Sequence, residues 1–278
     1  MGRKLGIFAG GGELPGRIIQ ACITSGRAFH VIAIEDQADP KIIGTAPHTW
    51  IRLGAAQKAL EVSRREKFYD IVLVGPIKRP TIRALRPDFL AAKVLARAST
   101  SSVMGDDGLL RAIINQIEEF GFNVIGADKF LTEHKLKPGN IGCFEADEEA
   151  LVDIKRGVQI LQALGPVDVG QAVIVQDNIV IAIEASEGTD AMIERSLEHL
   201  NVGPGGILVK LPKPEQEKRV DLPTIGPETI YRAHKAGLRG IAIDSDNTLL
   251  IDKDKTIELA NKKGVFLLAL DMSEWAEK

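Results

Sequence analysis

The chain opens on a short apolar run, Leu5–Ala9 (LGIFA), which runs into Gly10-Gly11-Gly12 and then Gly16. Arg17–Ser25 follows, with Ile18, Ile19, Ala21, Cys22 and Ile23 spaced to cover one side of a helix. His30–Glu35 (HVIAIE) reads as a second buried strand. Strand, glycine loop, helix and strand in that order make a βαβ unit. The alternation continues with a helix over 55–67 and a strand at Asp70–Val74 (DIVLV) that ends in Gly75-Pro76. A helix over 81–97 is expected next. Gly105-Asp106-Asp107-Gly108 then leads into an amphipathic helix over 109–120 and a strand at Asn123–Gly126.

The pattern changes character over 132–147, where Lys137-Pro138-Gly139-Asn140 is rich in turn formers. A helix fits 147–164. Gln171–Gln176 (QAVIVQ) and Ile179–Ala185 (IVIAIEA) flank Asp177-Asn178, two apolar runs across a two-residue turn, which predicts a β-hairpin. Beyond it the pattern predicts helices over 189–200, 227–237 and 256–263. Strands are expected at Gly206–Lys210, Gly240–Asp244, Thr248–Ile251 and Val265–Leu270, with a polar loop at 212–219 (PKPEQEKR). The fold class is therefore α/β in two domains. Residues 1–132 form a doubly wound, Rossmann-like parallel sheet, 133–147 a linker, and 148–278 a second, mixed α/β domain.

Composition narrows the function without naming it. The 278 residues suit about two domains. They are 45% hydrophobic and 26% charged, which excludes a disordered or collagen-like chain. A net charge of −3 argues against a nucleic-acid partner, whose binding needs a basic surface. Cys22 and Cys143 are far apart, and with five scattered histidines they give no zinc spacing. A reducing compartment is the simplest reading of two such cysteines, although a disulfide is open to them. No secretory signal and no run of ~20 apolar residues is visible, so a cytoplasmic location is expected, with contact at a membrane face left open.

Several segments could carry chemistry. The glycine loop 10–16 could turn backbone N–H groups toward a phosphate at a helix N-terminus. It has neither GxGxxG nor Walker spacing, and a plain βα turn explains it as well. Glu35 could meet a ribose hydroxyl or be a strand-end acid. Lys78 and Arg79 follow a buried strand, where a doubly wound sheet places ligands, or they lie in a solvated loop. Asp106 and Asp107 could hold a divalent cation or cap the helix after them. Glu184, Glu187 and Asp190 form a natural set of hard-oxygen ligands for Mg²⁺, with Thr189 a candidate N-cap. Asp221 and Thr224 sit in a loop stiffened by Pro223, Gly226 and Pro227, with Lys210 at the end of the preceding strand. Asp244-Ser245-Asp246-Asn247 is either a cation site or a short polar turn. The parts suit metal-assisted phosphoryl chemistry better than a nucleophilic triad.

Taken together in order, GIFAGGGELP, VGPIKRP, SSVMGDDGLL, QAVIVQDNIVIAIEASEGTDAMI, VKLPKPEQEKRVDLPTIGPETI and GLRGIAIDSDNTLLIDKD are more specific than their pieces. They resemble the UDP-2,3-diacylglucosamine pyrophosphatase family of lipid A biosynthesis, the LpxI type, over about residues 3–270. The resemblance implies a two-domain, Mg²⁺-dependent enzyme that is a homodimer and holds its lipid-linked nucleotide sugar between the domains. Water would attack the phosphorus that bears the sugar, giving UMP and 2,3-diacylglucosamine 1-phosphate (lipid X). The motif RVDLPTIGP places the essential carboxylate on Asp221, as metal ligand or as the group that orients water. The glycine loop places Gly11, Gly12, Glu13 and Leu14 against the substrate. Lys78 and Lys210 would neutralise the diphosphate. Ser102, Asp106, Gln171, Glu184, Thr189, Asp190, Thr224, Ile225 and Gly226 complete the expected substrate-binding set. The chain departs from the family pattern at Asp244–Asn247, where a Glu-Ala-Gly type of turn is expected.

Two other classes fit parts of this pattern. A non-catalytic carrier of a nucleotide sugar or lipid would use the acids only as caps. A dinucleotide-dependent oxidoreductase would use the first βαβ unit, against the wrong glycine spacing.

Overall fold

The computed structural model of the chain describes residues 3–78, 85–100, 106–130, 136–214 and 216–275. It divides into two compact units. The first is Met1–Thr132 together with Glu217–Val220, and the second is Glu133–Gln216 together with Asp221–Lys278.

The first unit runs β1 (Leu5–Ala9), α1 (Leu14–Ser25), β2 (Phe29–Ile34), α2 (Pro40–Ile43), β3 (His48–Ile51), α3 (Ala56–Arg65), β4 (Asp70–Val74), α4 (Phe89–Thr100), α5 (Asp106–Glu119) and β5 (Asn123–Val124). Its five strands are all parallel in the order β3-β2-β1-β4-β5, the doubly wound arrangement. Such a sheet is covered on both faces, so its central strands β1, β2 and β4 are largely apolar. Val31 and Ala33 join β1 and α1 in one core with Ile18, Ile19 and Cys22. Ile32 and Ile34 point the other way, into a core with Ile51, Val62 and Phe68.

Two differences from the sequence pattern have local causes. Helix α1 begins at Leu14 rather than Arg17, because Pro15 falls in its first turn, where a missing N–H and a fixed φ do no harm. Strand β3 (HTWI) was not visible as an apolar run. It is an edge strand whose residues are mostly half-exposed, so burial never demanded one. The strand expected at 123–126 pairs only at Asn123 and Val124. The beginning of the helix expected over 81–97 lies partly outside the described residues.

The second unit runs β6 (Gly139–Asn140), α6 (Glu148–Leu164), β7 (Ala172–Gln176), β8 (Ile179–Ile183), α7 (Thr189–Ser196), β9 (Ile207–Lys210), β10 (Thr224–Ile225), α8 (Pro227–Lys235), β11 (Gly240–Asp244), β12 (Leu249–Leu250), α9 (Lys253–Lys263), β13 (Phe266–Leu270) and α10 (Met272–Trp275). Six strands form a mixed sheet, β6-β13-β11-β9-β7-β8, in which β9, β11 and β13 are parallel. The expected linker is not all loop, because Gly139 and Asn140 pair antiparallel with β13 and become the sheet's edge.

Alternation along the strands sorts the side chains between two layers. Val173, Val175, Ile207 and Val209 pack on α6 through Ala150, Ile154, Val158 and Leu161. Ala172, Ile174, Leu208, Ile241 and Ile243 pack on the other side with Met192, Ile193, Ile230 and Ala233. Asp177 and Asn178 both have positive φ, as the tight hairpin turn requires. Asp153, buried on α6, accepts their two N–H groups at 3.2 and 2.6 Å and so ties the helix to the turn. Cys22 is buried, Cys143 is exposed, and both are free thiols. Among the described residues no helix is long and apolar enough to cross a membrane.

Candidate functional site

Period two along β9 puts Lys210 on the same side as Leu208, facing away from α6 and toward the layer that holds α7. Lys210 is only 7% exposed. Its ammonium donates to Thr224 O at 2.9 Å. Burial pushes its pKa down from the usual lysine range, and the fields of Glu184, Asp190 and Asp221 oppose that push. A cation therefore lies inside the second unit with three carboxylates around it.

Each of those carboxylates is held differently. Glu184 follows β8 and is buried. It accepts from Thr189 Oγ1 at 3.0 Å and from the Gln171 N–H at 3.2 Å. Thr189 is therefore not the N-cap of α7. Gly188 is, and the threonine hydroxyl serves Glu184 instead. Asp190 is exposed, 3.6 Å from Arg232. Asp221 is half-buried, and its Oδ2 accepts from Gln216 Nε2 at 2.6 Å. Its Oδ1 has no hydrogen-bond partner among the described residues.

Gln171 closes the group. Its Oε1 accepts from Gln216 Nε2 at 3.1 Å, and its carbonyl accepts from Leu211 N–H at 2.9 Å. Gly170 makes this approach feasible. Its φ is +60°, and a Cβ there would fall 2.1 Å from the Glu184 carbonyl oxygen. We expect Gly170→Ala to cost about 3 kcal/mol, through both left-handed strain and overlap. Gly188→Ala, with φ +83° and open space around the Cβ, should cost only about 1 kcal/mol. Urea denaturation of the two variants checks the difference.

The stiff loop after Asp221 is also resolved. Thr224 and Ile225 pair in parallel with Leu249 and Leu250, and Gly226 caps α8 ahead of Pro227. The Ile225 side chain is fully buried in the core, so it anchors the loop and is itself out of reach of a ligand.

The proposed oxygen set of Glu184, Glu187 and Asp190 does not form. Glu187 turns to Arg195 at 2.7 Å, and no group of three or more His, Cys, Asp or Glu among the described residues could hold a metal ion. Asp244 likewise makes a turn. Its carboxylate accepts from the N–H groups of Asp246 and Asn247 and from Asn247 Nδ2.

In the first unit, the loops after β1 and β4 meet at the switch point of the sheet. Gly10 N–H donates to Val74 O and Gly11 N–H to Pro76 O, both at 2.8 Å. A Cβ on Gly10 would lie 2.6 Å from Gly75 O, which explains the glycine there. Those two donors are thus committed to protein, and Pro15 has none. Gly12, Glu13 and Leu14 keep N–H groups with no partner among the described residues, at the start of the twelve-residue α1. Glu13 itself is exposed and lies 3.4 Å from Arg17. Lys78 is exposed, with its N–H given to Gln37 Oε1 at 2.7 Å. Ser102 lies outside the described residues, and Asp106 opens α5.

Of the expected residues, Gln171, Glu184, Thr189, Lys210, Thr224 and Asp221 are joined by bonds or by charge within one unit. Gln216, which completes that network, was read only as part of a polar loop. Nothing in PKPEQEKR marks one glutamine as buried, since its partners lie up to 45 residues away.

Comparison with known proteins adds sequence evidence to this geometry. The LpxI N-terminal domain model matches residues 4–134 and the LpxI C-terminal domain model residues 137–268. The chain is 37% identical to the UDP-2,3-diacylglucosamine pyrophosphatase LpxI of Caulobacter vibrioides, across 98% of this chain and 99% of that one. Among solved structures it matches the Bordetella bronchiseptica enzyme WbmG in complex with NAD and UDP. That match has 14% identity and a TM-score of 0.36, over 95% of this chain and 72% of the other.

Proposed function

The chain belongs to the LpxI family, and on that premise we propose that it hydrolyses the diphosphate of UDP-2,3-diacylglucosamine to UMP and 2,3-diacylglucosamine 1-phosphate. The end-to-end match to a relative of that name carries the reading. The geometry supports it through Asp221, a half-buried carboxylate with one oxygen fixed and the other open.

In the proposed reaction a water oxygen forms a bond to the phosphorus that bears the sugar. The bond from that phosphorus to the bridging oxygen breaks, UMP leaves with the bridging oxygen and the electron pair, and the proton of the attacking water is released to solvent. Asp221 Oδ1 is the atom that holds either the attacking water or a cation on the diphosphate. Within the first unit taken by itself, the N–H groups of Gly12, Glu13 and Leu14 and the charge of Lys78 suit an anion.

Mg²⁺ fits this donor set in one form only. The described residues offer no closed cage, but Mg²⁺ commonly takes one or two carboxylates and completes its shell with water and substrate phosphate. Asp221 would be that carboxylate. When bound, the ion would offset charge on the diphosphate. The acyl chains, at ~0.8 kcal/mol per buried CH₂, would dominate affinity. A homodimer working against the cytoplasmic face of the inner membrane completes the proposal.

The test is UMP release from UDP-2,3-diacylglucosamine by purified protein with and without Mg²⁺. Turnover that EDTA abolishes is expected. Binding of the substrate without any UMP would replace the enzyme reading with that of a carrier.

A further inference from the structure

Gln216 is buried to 6% exposure in an otherwise polar loop, and every atom of its carboxamide is engaged. Its Oε1 accepts from the Lys213 N–H at 2.8 Å. A backbone N–H can only donate, so this bond fixes which way the amide faces. The Nε2 is therefore turned to its two remaining neighbours, Asp221 Oδ2 at 2.6 Å and Gln171 Oε1 at 3.1 Å. Both of those are acceptors, so both hydrogens on Nε2 are used.

The base of this arrangement is itself pinned. The Lys213 ammonium pairs with Asp168, and Leu211 N–H bonds Gln171 O. Pro214 packs against Gly165 so closely that a Cβ there would fall 2.4 Å from the proline ring. Gln216 thus ties one oxygen of Asp221 to the pinned residues Lys213 and Gln171.

We propose that Gln216 is a positioning residue for Asp221, holding Oδ2 so that Oδ1 is presented in a single orientation. The proposal rests on Asp221 as the working carboxylate. Through Nε2–H···Oδ2 the amide removes one of the two rotations by which the carboxylate could offer either oxygen. A ligand contact by Gln216 itself is not required, because both its donors are already taken.

Two variants test this, each measured for thermal unfolding and for steady-state UMP release. Gln216→Ala removes the donor. Gln216→Glu is nearly isosteric and keeps an acceptor for Lys213 N–H, but turns an oxygen toward Oδ2. Second-layer partners of working groups commonly contribute about 10- to 100-fold. We expect kcat to fall by about that factor in both variants, with KM within about threefold and with Gln216→Glu no faster than Gln216→Ala. A purely structural role predicts instead that Glu, which fills the same space, restores kcat. Restored kcat, or a raised KM at unchanged kcat, would overturn the proposal.

A crystal structure of Gln216→Glu without substrate gives a readout independent of activity. The Asp221 carboxylate should rotate away from its wild-type orientation, and an unmoved carboxylate would also overturn the proposal. Absence of UMP release by the wild-type protein would instead remove the functional premise and leave the rotation to be judged alone.

Discussion

Asp221→Ala is expected to lower the rate of UMP release by about 10³-fold or more while the substrate still binds within a few fold of its wild-type affinity. A group that orients water or holds a cation on the reacting phosphate acts in the transition state, and general-base catalysis alone contributes about 10²- to 10⁴-fold. The carboxylate is half-buried and bonded to Gln216, so its removal leaves one Gln216 hydrogen without a partner but no cavity in the apolar core. Folding should survive, as thermal unfolding will show. Asp221→Asn sharpens the experiment. An amide oxygen can still accept from Gln216 Nε2, which leaves an NH₂ group at the position of Oδ1. The variant keeps the hydrogen bond and loses the acceptor, so it should be as inactive as the alanine variant. Single-turnover measurement of UMP, with binding followed by calorimetry, separates the two steps. Turnover within tenfold of wild type in either variant would take Asp221 out of the mechanism.

Lys210→Met should reduce the stability of the second unit by about 3 kcal/mol, the low end for removing one partner of a buried charge group. Methionine fills similar volume, so the loss is electrostatic. The buried ammonium gives up its bond to Thr224 O, and buried Glu184 loses the opposing charge of Lys210. For a unit of this size that corresponds to a fall of roughly 10 °C in its melting transition. The double variant Lys210→Met/Glu184→Gln removes the stranded charge as well and should recover most of the loss, because exchanging a whole buried charge set for neutral groups is often tolerated. Calorimetric unfolding of the single and double variants decides it. A single variant that melts with wild type, or a double variant no better than the single, would show that Lys210 does not compensate Glu184.

How legible this molecule is depends on how local the cause of each feature is. Asp70–Val74 and the hairpin of Ala172–Ile183 read directly from sequence, because the largely buried β4 and β7 must be apolar and a turn at Asp177-Asn178, which leads into the apolar edge strand β8, needs residues that tolerate positive φ. The edge strands at His48–Ile51 and Gly139–Asn140 gave no such signal, since half their surface meets solvent. The acids showed the same divide. Asp221 stood out from its stiff surroundings and its family motif. Glu184 and Glu187 looked equivalent, yet the one meets Thr189 and Gln171 and the other meets Arg195. Asp153 acts only through tertiary neighbours, and the burial of Gln216 depends on Gln171 as well as on the nearby Lys213 and Asp221, so neither showed in the pattern. A spacing rule cannot record a partner 45 or 24 residues away.

The chain's detour through the first unit bears on how the protein can be taken apart. After Gln216 the backbone contributes Glu217–Val220 to the first unit before it resumes the second at Asp221. Arg219 grips Glu217 at 2.8 and 2.9 Å and Glu118 at 2.6 Å. A gene severed near residue 132 therefore yields two incomplete products, one short of a tetrapeptide and the other carrying it with nowhere native to dock. Neither half is a portable cassette. A split-protein or domain-swap design must either carry the clip across on its own tether or keep the parent polypeptide whole, and the chain's return to the second unit falls directly at the aspartate on which the chemistry is expected to depend.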